Sequence, residues 1–456
     1  MNASIRRVST VTIALALLVS LGACQAGGGP ISKLLSGARS EKQSKLPGER
    51  VSVLLLQQKL EADPRIADVE VRLPPPYENA DWLEPGGYAS NAMYHLKVGD
   101  ALERQWRANV GAAADSYSRI MAPPIIAEGR IFVLDAKCYV MALDEATGRE
   151  LWRKNLAPKR EKGRVGFGGG VAFDNGRIFV VTGFGRVHAL DPASGKQFWM
   201  RNFEVPFHAA PTADGGRLFA VSNDNQLFAL AEDDGRELWS DQGISEQAGM
   251  LANSSPAVAS DAVVVPYSSG ELLAYRVQNG TLLWSDSLTR TGPVTPLATI
   301  SDIAGRPVID RGRVVAISHS GRLVSIDLKS GERIWTRDIG GIQTPWVAGD
   351  FIYLVTSDEE LVCLTWDDGR IRWITQLQQW SNPKKNKGDP LVWSGPLLGS
   401  DRLIVVSSQG RALSVSPYTG EILGEIKLGE GTFVAPIVAK STLYILTDGA
   451  KLLALR

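Results

Sequence analysis

The chain has 456 residues, of which 44% are hydrophobic and 21% are charged, a balance that is typical of a globular protein and excludes general disorder. Lys plus Arg and Asp plus Glu both number 49, so there is no basic excess and we predict no nucleic-acid partner. The length exceeds the usual domain of about 100–150 residues, which predicts several domains or one repetitive domain.

Residues 1–23 have the pattern of a secretory signal peptide. Two arginines precede an apolar run from Val11 to Leu21, which is shorter than the roughly 20 residues that a permanent membrane helix needs. The residues from Leu21 to Cys24 resemble a bacterial lipobox, which predicts cleavage before Cys24 and acylation of that cysteine. The alternative is an ordinary signal peptide with an incidental cysteine. Gln25 after the cysteine favours the periplasmic face of the outer membrane.

Residues 24–76 are rich in Gly, Ser, Lys and Pro in parts, which predicts a lipidated tether ahead of the folded domain. Within it, residues 51–60 fit either a short helix or a strand. The remaining residues, 77–456, are predicted to form one repetitive domain.

One pattern recurs along that domain: an apolar run, a polar turn, a second apolar run that ends in Ala-Leu-Asp or a variant, a turn with Gly, and then an aromatic residue. Asp and Gly between alternating apolar runs are hairpin residues, because Asp bonds nearby amides and Gly tolerates positive φ. Each copy therefore predicts antiparallel strands joined by tight turns. A period of about 40–50 residues is typical of four-stranded propeller blades.

Seven tryptophans mark the start of the outer strand in successive copies, at intervals of 46, 47, 40, 45, 51 and 38 residues. An indole is large enough to fill the gap between twisted neighbouring sheets, so we interpret these residues as docking one blade onto the next. The alternative is a set of aromatic ligand platforms. The seven are Trp106, Trp152, Trp199, Trp239, Trp284, Trp335 and Trp373.

Eight inner strands can be counted, which predicts an all-β, eight-bladed propeller of four-stranded antiparallel blades. The last copy ends at Arg456 without a fourth strand, while the run around Trp106 looks like an outer strand with nothing before it. We therefore expect the N-terminal strand to complete the C-terminal blade and remove both exposed edges. Copy seven has Gly424 where Trp is expected, which predicts a looser junction there.

No catalytic or nucleotide-binding motif is present in the sequence: it contains no HExxH, GxSxG, Walker loop or GxGxxG followed by a helix. The four histidines show no metal-ligand spacing, so we predict no metal, no cofactor and no enzymatic activity. Cys138 and Cys363 lie in distant copies and are predicted to be buried thiols, with a disulfide as the alternative. The lysines around Lys384 are interpreted as a solvated insertion, with a docking patch as the alternative.

These residues resemble the pyrroloquinoline-quinone-type propeller repeat and, within it, the BamB family of lipoproteins of the outer-membrane β-barrel assembly (BAM) machinery. The lipobox, the Trp-turn copies and the run from Ile300 to Ile303 carry the resemblance. It implies a scaffold at the periplasmic face of the outer membrane that binds a POTRA domain of BamA and other BAM subunits. It also implies a role in the folding and insertion of unfolded outer-membrane proteins.

The resemblance places partner binding in two connectors between blades, before blades four and five. In a four-stranded antiparallel blade these connectors share one rim. Where the family has an arginine, this chain has Leu251. The alternative is that some of these side chains only pack their own loops. The candidate residues are Met250, Leu251, Asn253, Ile300, Ser301, Asp302 and Ile303.

Two other functions share the repeat. The first is a quinone-dependent dehydrogenase, although enzymes of that kind are longer chains with vicinal cysteines and a calcium site, which are not visible in this sequence. A propeller that binds cell-wall material or carbohydrate is the second.

Overall fold

The computed structural model describes residues 59–115, 118–159, 168–245, 254–289, 302–384 and 387–456. Residues 60–456 form one compact unit. Apart from a 3₁₀ turn at Pro64–Ile66, the regular elements of the described residues are strands. Among those residues no helix is both long and apolar enough to cross a membrane.

The described residues contain eight four-stranded antiparallel sheets, so the prediction of an eight-bladed all-β propeller is confirmed. A separate hairpin lies between blades six and seven. The N-terminal strand is β1 (Arg104–Asn109). Blades one to four are formed by β2 (Ile125–Ala127), β3 (Arg130–Leu134), β4 (Tyr139–Asp144), β5 (Glu150–Asn155); β6 (Gly169–Asp174), β7 (Arg177–Thr182), β8 (Arg186–Leu190), β9 (Gln197–Asn202); β10 (Thr212–Asp214), β11 (Arg217–Val221), β12 (Gln226–Ala231), β13 (Glu237–Gln242); β14 (Ala257–Ala259), β15 (Ala262–Pro266), β16 (Glu271–Arg276) and β17 (Leu282–Ser287).

The second half of the ring repeats this plan. Its strands, with the separate hairpin as β26 and β27, are β18 (Val308–Asp310), β19 (Arg313–Ser318), β20 (Arg322–Asp327), β21 (Arg333–Arg337); β22 (Trp346–Ala348), β23 (Phe351–Val355), β24 (Glu360–Thr365), β25 (Ile371–Gln376); β26 (Trp380–Asn382), β27 (Lys387–Pro390); β28 (Trp393–Gly399), β29 (Arg402–Ser407), β30 (Arg411–Val415), β31 (Ile422–Lys427); β32 (Ile437–Ala439), β33 (Thr442–Leu446) and β34 (Lys451–Leu455).

The ring is closed by its two ends. Strand β1 pairs antiparallel with β34, and Trp106 lies opposite Ala454 in that pair. Two backbone hydrogen bonds between Glu103 and Arg456, of 2.8 and 2.9 Å, extend the pairing. The predicted closure is therefore confirmed, and β34 is paired on both sides, by β33 and by β1.

The core consists of apolar layers between neighbouring blades. Strands alternate in side-chain direction, so each blade presents one buried row to the blade before it and another to the blade after it. In the layer between blades four and five, for example, Val264 packs with Val314 and Ile326, and all three are fully buried. The apolar layers on the two sides of blade eight form one continuous cluster, which extends from Ile404 of blade seven to Ile126 of blade one.

The end of the predicted tether lies along blades six and seven. Asp63 donates a backbone hydrogen bond of 2.8 Å to the Ile371 carbonyl, and Arg372 donates from Nε to the Val69 carbonyl at 2.8 Å. Val71 is buried in the layer between these two blades. The domain boundary at residue 76 stays a prediction.

Residues 79–99, which we call the inner lap, run once around the inside of the ring. Their backbone meets the inner strands in blade order, beginning at blade eight, where the Asn79 carbonyl accepts from Lys440 at 2.8 Å. Trp82 then exchanges two bonds with Ile126 of blade one. The remaining contacts reach blades two to eight: Phe173 N to Leu83 O, Ala213 N to Glu84 Oε1, Val258 N to Ala89 O, Ile309 N to Ser90 O, Trp346 Nε1 to Tyr94 O, Ser400 N to Leu96 O and Gly99 N to Ser441 O, at 2.6–3.0 Å.

The backbone bonds of the inner lap fall toward the C-terminal ends of the inner strands, away from the connectors. The inner lap therefore lies on the side of the ring opposite the connectors. Inner strands have no neighbour toward the channel, so their free amides and carbonyls would otherwise need water. The inner lap supplies partners for several of them and covers that side of the channel.

Candidate functional site

The two connectors assigned to partner binding meet on one rim of the propeller. Ser254, at the end of the first connector, donates from Oγ to the Gly305 carbonyl of the second at 3.3 Å. Five of the candidate residues lie outside the described residues: Met250, Leu251, Asn253, Ile300 and Ser301. Asp302 and Ile303 are described, so the structure places the second connector at the rim but does not describe the tip of either.

Ile303 and Asp302 are held tightly by blades four and five. The Ile303 side chain is 0% exposed and packs in the layer between these blades, and its amide donates to the Tyr267 carbonyl at 3.4 Å. Asp302 is 5% exposed, and its carbonyl accepts from the His319 amide at 3.0 Å. The Ile303 side chain is thus enclosed between blades four and five in this conformation, and its part in partner binding stays a prediction.

The seven tryptophans lie at equivalent positions, each at the start of an outer strand and facing the following blade. The ring of Trp152 lies where a Cβ on Gly195 would come within 2.7 Å of it, and its Nε1 donates to the Pro192 carbonyl of blade two at 3.0 Å. The same bond to the next blade is made by Trp199 to Glu232, Trp239 to Val277, Trp284 to Leu328, Trp335 to Trp366 and Trp373 to Pro417, at 2.7–3.1 Å. Trp106 stacks over the turn at Gly148.

Gly424 occupies the matching position in blade seven, opposite Ser414, as Trp373 lies opposite Cys363 in blade six. A Cβ on Gly424 would meet nothing within 4 Å. The reason lies in the next blade: in blade eight the third and fourth strands come from opposite ends of the chain, so the turn that would receive the indole does not exist. The missing tryptophan thus coincides with the closure of the ring.

A cavity of about 490 Å³ opens on the same rim as the connectors and extends into the channel. Its walls include Ile342, Trp346 and Phe433, and residues of the inner lap, among them Trp82 and Gly86, form its floor. A volume of this size is typical of pockets for small organic molecules. The cavity is therefore closed at one end by the inner lap and open at the other.

Arg306 is the principal charged group in the cavity wall. Its Nη1 donates to Thr344 Oγ1 at 3.3 Å, while its Nε is buried and has no hydrogen-bond partner among the described residues. Burial lowers the pKa of Arg306 to about 10, against the opposing effect of the Glu84 carboxylate, so the guanidinium stays charged at neutral pH. The Trp82 Nε1 is also buried and without a partner in that set, and this side chain is 2% exposed.

Arg119 and Asp448 lie together at the mouth of the cavity. The Arg119 guanidinium lies 4.9 Å from the centroid of the Phe433 ring. Burial raises the pKa of Asp448 to about 6, and the nearby charge of Arg119 opposes this rise. This cavity was not predicted from the sequence, in which the available signal was Arg306 next to Pro307, where a connector enters an inner strand.

The cysteine and histidine side chains considered from the sequence lie in different parts of the ring. Cys138 and Cys363 are buried, reduced thiols in blades one and six, which agrees with the prediction of buried thiols. No group of three or more His, Cys, Asp or Glu side chains within the described ranges is arranged to hold a metal ion. His95 is structural: it contacts the Pro74 carbonyl through Nδ1 at 2.7 Å and accepts from the Asp401 amide at Nε2.

Solved structures with this architecture include proteins of different function. BamB from Moraxella catarrhalis superposes with a TM-score of 0.64 and 16% identity over 78% of this chain and 100% of its own. A quinohaemoprotein alcohol dehydrogenase from Comamonas testosteroni gives a TM-score of 0.63 and 14% identity over 84% of this chain and 78% of its own. At these identities the likeness shows the fold alone.

Similarity in sequence identifies the family, which the likeness in fold does not. The outer membrane protein assembly factor BamB of Salmonella typhimurium is 30% identical over 198 residues, which are 43% of this chain and 48% of that protein, so the chain spans about half the length of this relative. The factor of the same name from Shewanella oneidensis is 25% identical over 404 residues, 77% of this chain and 88% of that protein. The profile of the family described as outer membrane protein assembly factor BamB matches residues 136–375, just over half of the sequence. This chain, an eight-bladed propeller closed by its own N-terminal strand, belongs to the BamB family.

Proposed function

We propose that the protein is a non-enzymatic scaffold subunit of the BAM complex, lipid-anchored at the periplasmic face of the outer membrane. In this role it binds a POTRA domain of BamA, contacts other BAM subunits, and assists the folding and insertion of outer-membrane proteins. The observation that carries the proposal is the convergence of the two connectors, joined by the bond from Ser254 to Gly305, in a chain of this family.

The docking surface is then the outer side of the two connectors, and Ile303 supports it from below. A buried side chain that fixes a loop lowers the entropy cost of ordering that loop when a partner binds. The partner contacts are assigned to Met250, Leu251, Asn253, Ile300, Ser301 and Asp302, with Leu251 in place of the arginine that the family has. With the apolar Leu251 at this position, we expect the docking interface to have one positively charged side chain fewer than in the family.

The test is capture of the purified periplasmic region of BamA by the full chain. Met250→Glu puts a charge into the proposed interface, where an unpaired buried charge is costly, so capture should weaken at least about tenfold. Lys329→Glu is the matched control, because Lys329 is exposed in the third turn of blade five, on the opposite rim. Wild-type capture by Met250→Glu would remove the docking site from these connectors.

The dehydrogenase alternative has a direct assay. The purified chain incubated with pyrroloquinoline quinone and calcium should oxidise no alcohol, since its cysteines lie in separate blades and not as a vicinal pair. Turnover that depends on the quinone would replace the scaffold proposal with an enzymatic one.

A further inference from the structure

The cavity on the connector rim has the properties of an enclosed ligand site. The inner lap closes its floor through Trp82, Gly86 and Asn91, and Asn91 is fixed by a bond of 2.8 Å from its Nδ2 to the Pro307 carbonyl. A pocket closed on one side and walled by side chains on preformed strands removes most of a small ligand from water. Its volume of about 490 Å³ leaves room for a molecule with one or two rings.

Two hydrogen-bond donors of the cavity lining are buried without partners among the described residues. They are Arg306 Nε and Trp82 Nε1, which belong to opposite parts of the site, the wall and the floor. A buried donor without an acceptor costs roughly 1–3 kcal/mol, and more when the group is charged. Both atoms are enclosed, but the Arg306 side chain as a whole is half-buried, so an acceptor that enters the cavity would meet the accessible part of its guanidinium. The site therefore favours a ligand with a compact acceptor group.

The charge of Arg306 is not neutralised by its surroundings. The nearby Glu84 is buried, and burial raises its pKa well above the ordinary range against the lowering effect of the hydrogen bond from the Ala213 amide, which disfavours the ionised form that would compensate the arginine. The other carboxyl of the cavity, Asp448, lies beside Arg119. One positive charge therefore remains in a wall that is otherwise largely apolar, with Ile342, Trp346 and Phe433 around it.

We infer that this cavity binds a small organic acid, a molecule with an apolar body of one or two rings and a single carboxylate that pairs with Arg306. The carboxylate pairs with the guanidinium of Arg306, and the ring body fills the apolar walls. This site is separate from the outer side of the connectors, so it does not depend on the docking proposal.

The experiment is a calorimetric titration of the full chain with 1-naphthoate. The expected result is saturable binding of one molecule per chain. Its neutral analogue 1-naphthylmethanol should bind at least about tenfold more weakly, because a hydrogen bond to a charged group is lost, and acetate should show no saturable binding because it lacks the apolar body. Absence of saturable naphthoate binding, or equal affinity for the neutral analogue, overturns the inference.

Two variants locate the site. Arg306→Met should weaken naphthoate binding at least about tenfold, and Ile342→Trp, which keeps the arginine but fills the cavity, should abolish it. Arg322→Met is the matched control: Arg322 belongs to the same blade, and its Nε is also buried without a partner in the described residues, but it does not line the cavity. Binding that is unchanged in Ile342→Trp, or lost equally in Arg322→Met, also overturns the inference.

Discussion

At blade three the inner lap contacts the inner strand through the Glu84 side chain and not through a backbone carbonyl. Its Oε1 accepts the Ala213 amide of blade three at 3.0 Å, while its Oε2 is buried and has no partner among the described residues. Burial is the main cause of its raised pKa, and the charges of Asp174, Asp214 and Glu232 add to it. These effects favour the protonated form of the carboxyl in the folded protein.

This assignment predicts how stability depends on pH. The unfolded chain ionises Glu84 above about pH 4.5 while the folded chain keeps its proton, so this residue destabilises the fold increasingly as pH rises from there toward the raised pKa. Glu84→Gln keeps an acceptor for Ala213 and cannot ionise. Its melting temperature relative to wild type should therefore increase between pH 4.5 and pH 7.5.

The control for this prediction is Glu61→Gln, because Glu61 is an exposed carboxyl ahead of the inner lap. Its melting temperature relative to wild type should change little over the same range. If the Glu84→Gln difference is equally flat, the carboxyl is ionised in the folded protein.

At the scale of elements, the recurring junction is an indole packed on a glycine turn of the next blade. These junctions can be located from the sequence because the interval between tryptophans is a local property of each copy. The looser junction at Gly424 stays a prediction; a Cβ there would meet nothing within 4 Å, and β1 takes the place of the turn in the next blade. Junction geometry follows from the repeat, whereas the exception follows from where the chain begins and ends within the ring.

A pair of glycines in blade two measures what this junction contributes. Gly195 and Gly176 have nearly equal φ, +68° and +69°, but a Cβ on Gly195 would come within 2.7 Å of the Trp152 ring and one on Gly176 would meet nothing within 4 Å. Both alanine variants incur the cost of a left-handed backbone, roughly 1–2 kcal/mol. Gly195→Ala should lose a further 1–3 kcal/mol, roughly, because the indole must move.

Thermal or denaturant unfolding of the two variants gives this difference directly. In a Trp152→Leu background the excess cost of Gly195→Ala should shrink, since the crowding partner has been removed. Equal destabilisation by Gly195→Ala and Gly176→Ala would mean that the indole does not pack closely on the turn.

At the scale of the whole molecule, eight blades and their closure could be predicted because each blade repeats the same chemistry. The inner lap could not, because its residues show no period and their partners, from Ile126 to Ser441, become neighbours only after the ring has formed. The cavity escaped prediction for the same reason: Arg306 and Trp82 are more than two hundred residues apart in sequence. For Ile303 the resemblance suggested a contact residue, and the packing between blades four and five buried it.

The proposed anchor belongs to this scale too. Cys24→Ala should release the protein from the membrane fraction, because several acyl chains at about 0.8 kcal/mol per buried methylene are what would hold it there. Cys138→Ala is the control, since that thiol is buried in blade one. The measurement is the distribution of each variant between membrane and soluble fractions of the cell envelope, and a Cys24→Ala protein that stays with the membrane would contradict the anchor.

The inner lap also fixes the mechanical path between the N-terminal chain and the ring. A pull applied ahead of residue 60 first loads the contacts of residues 63–71 with blades six and seven and then the Asn79 contact with blade eight. It then reaches every other blade in turn before it arrives at β1, which closes the circle. Detaching the lap by such a pull would require breaking its bonds one after another along the direction of the chain, and each broken bond would lengthen the free segment by a few ångströms per residue. Under such a pull, the contacts of the N-terminal segment would therefore break in small steps before the β1–β34 pair carried any force.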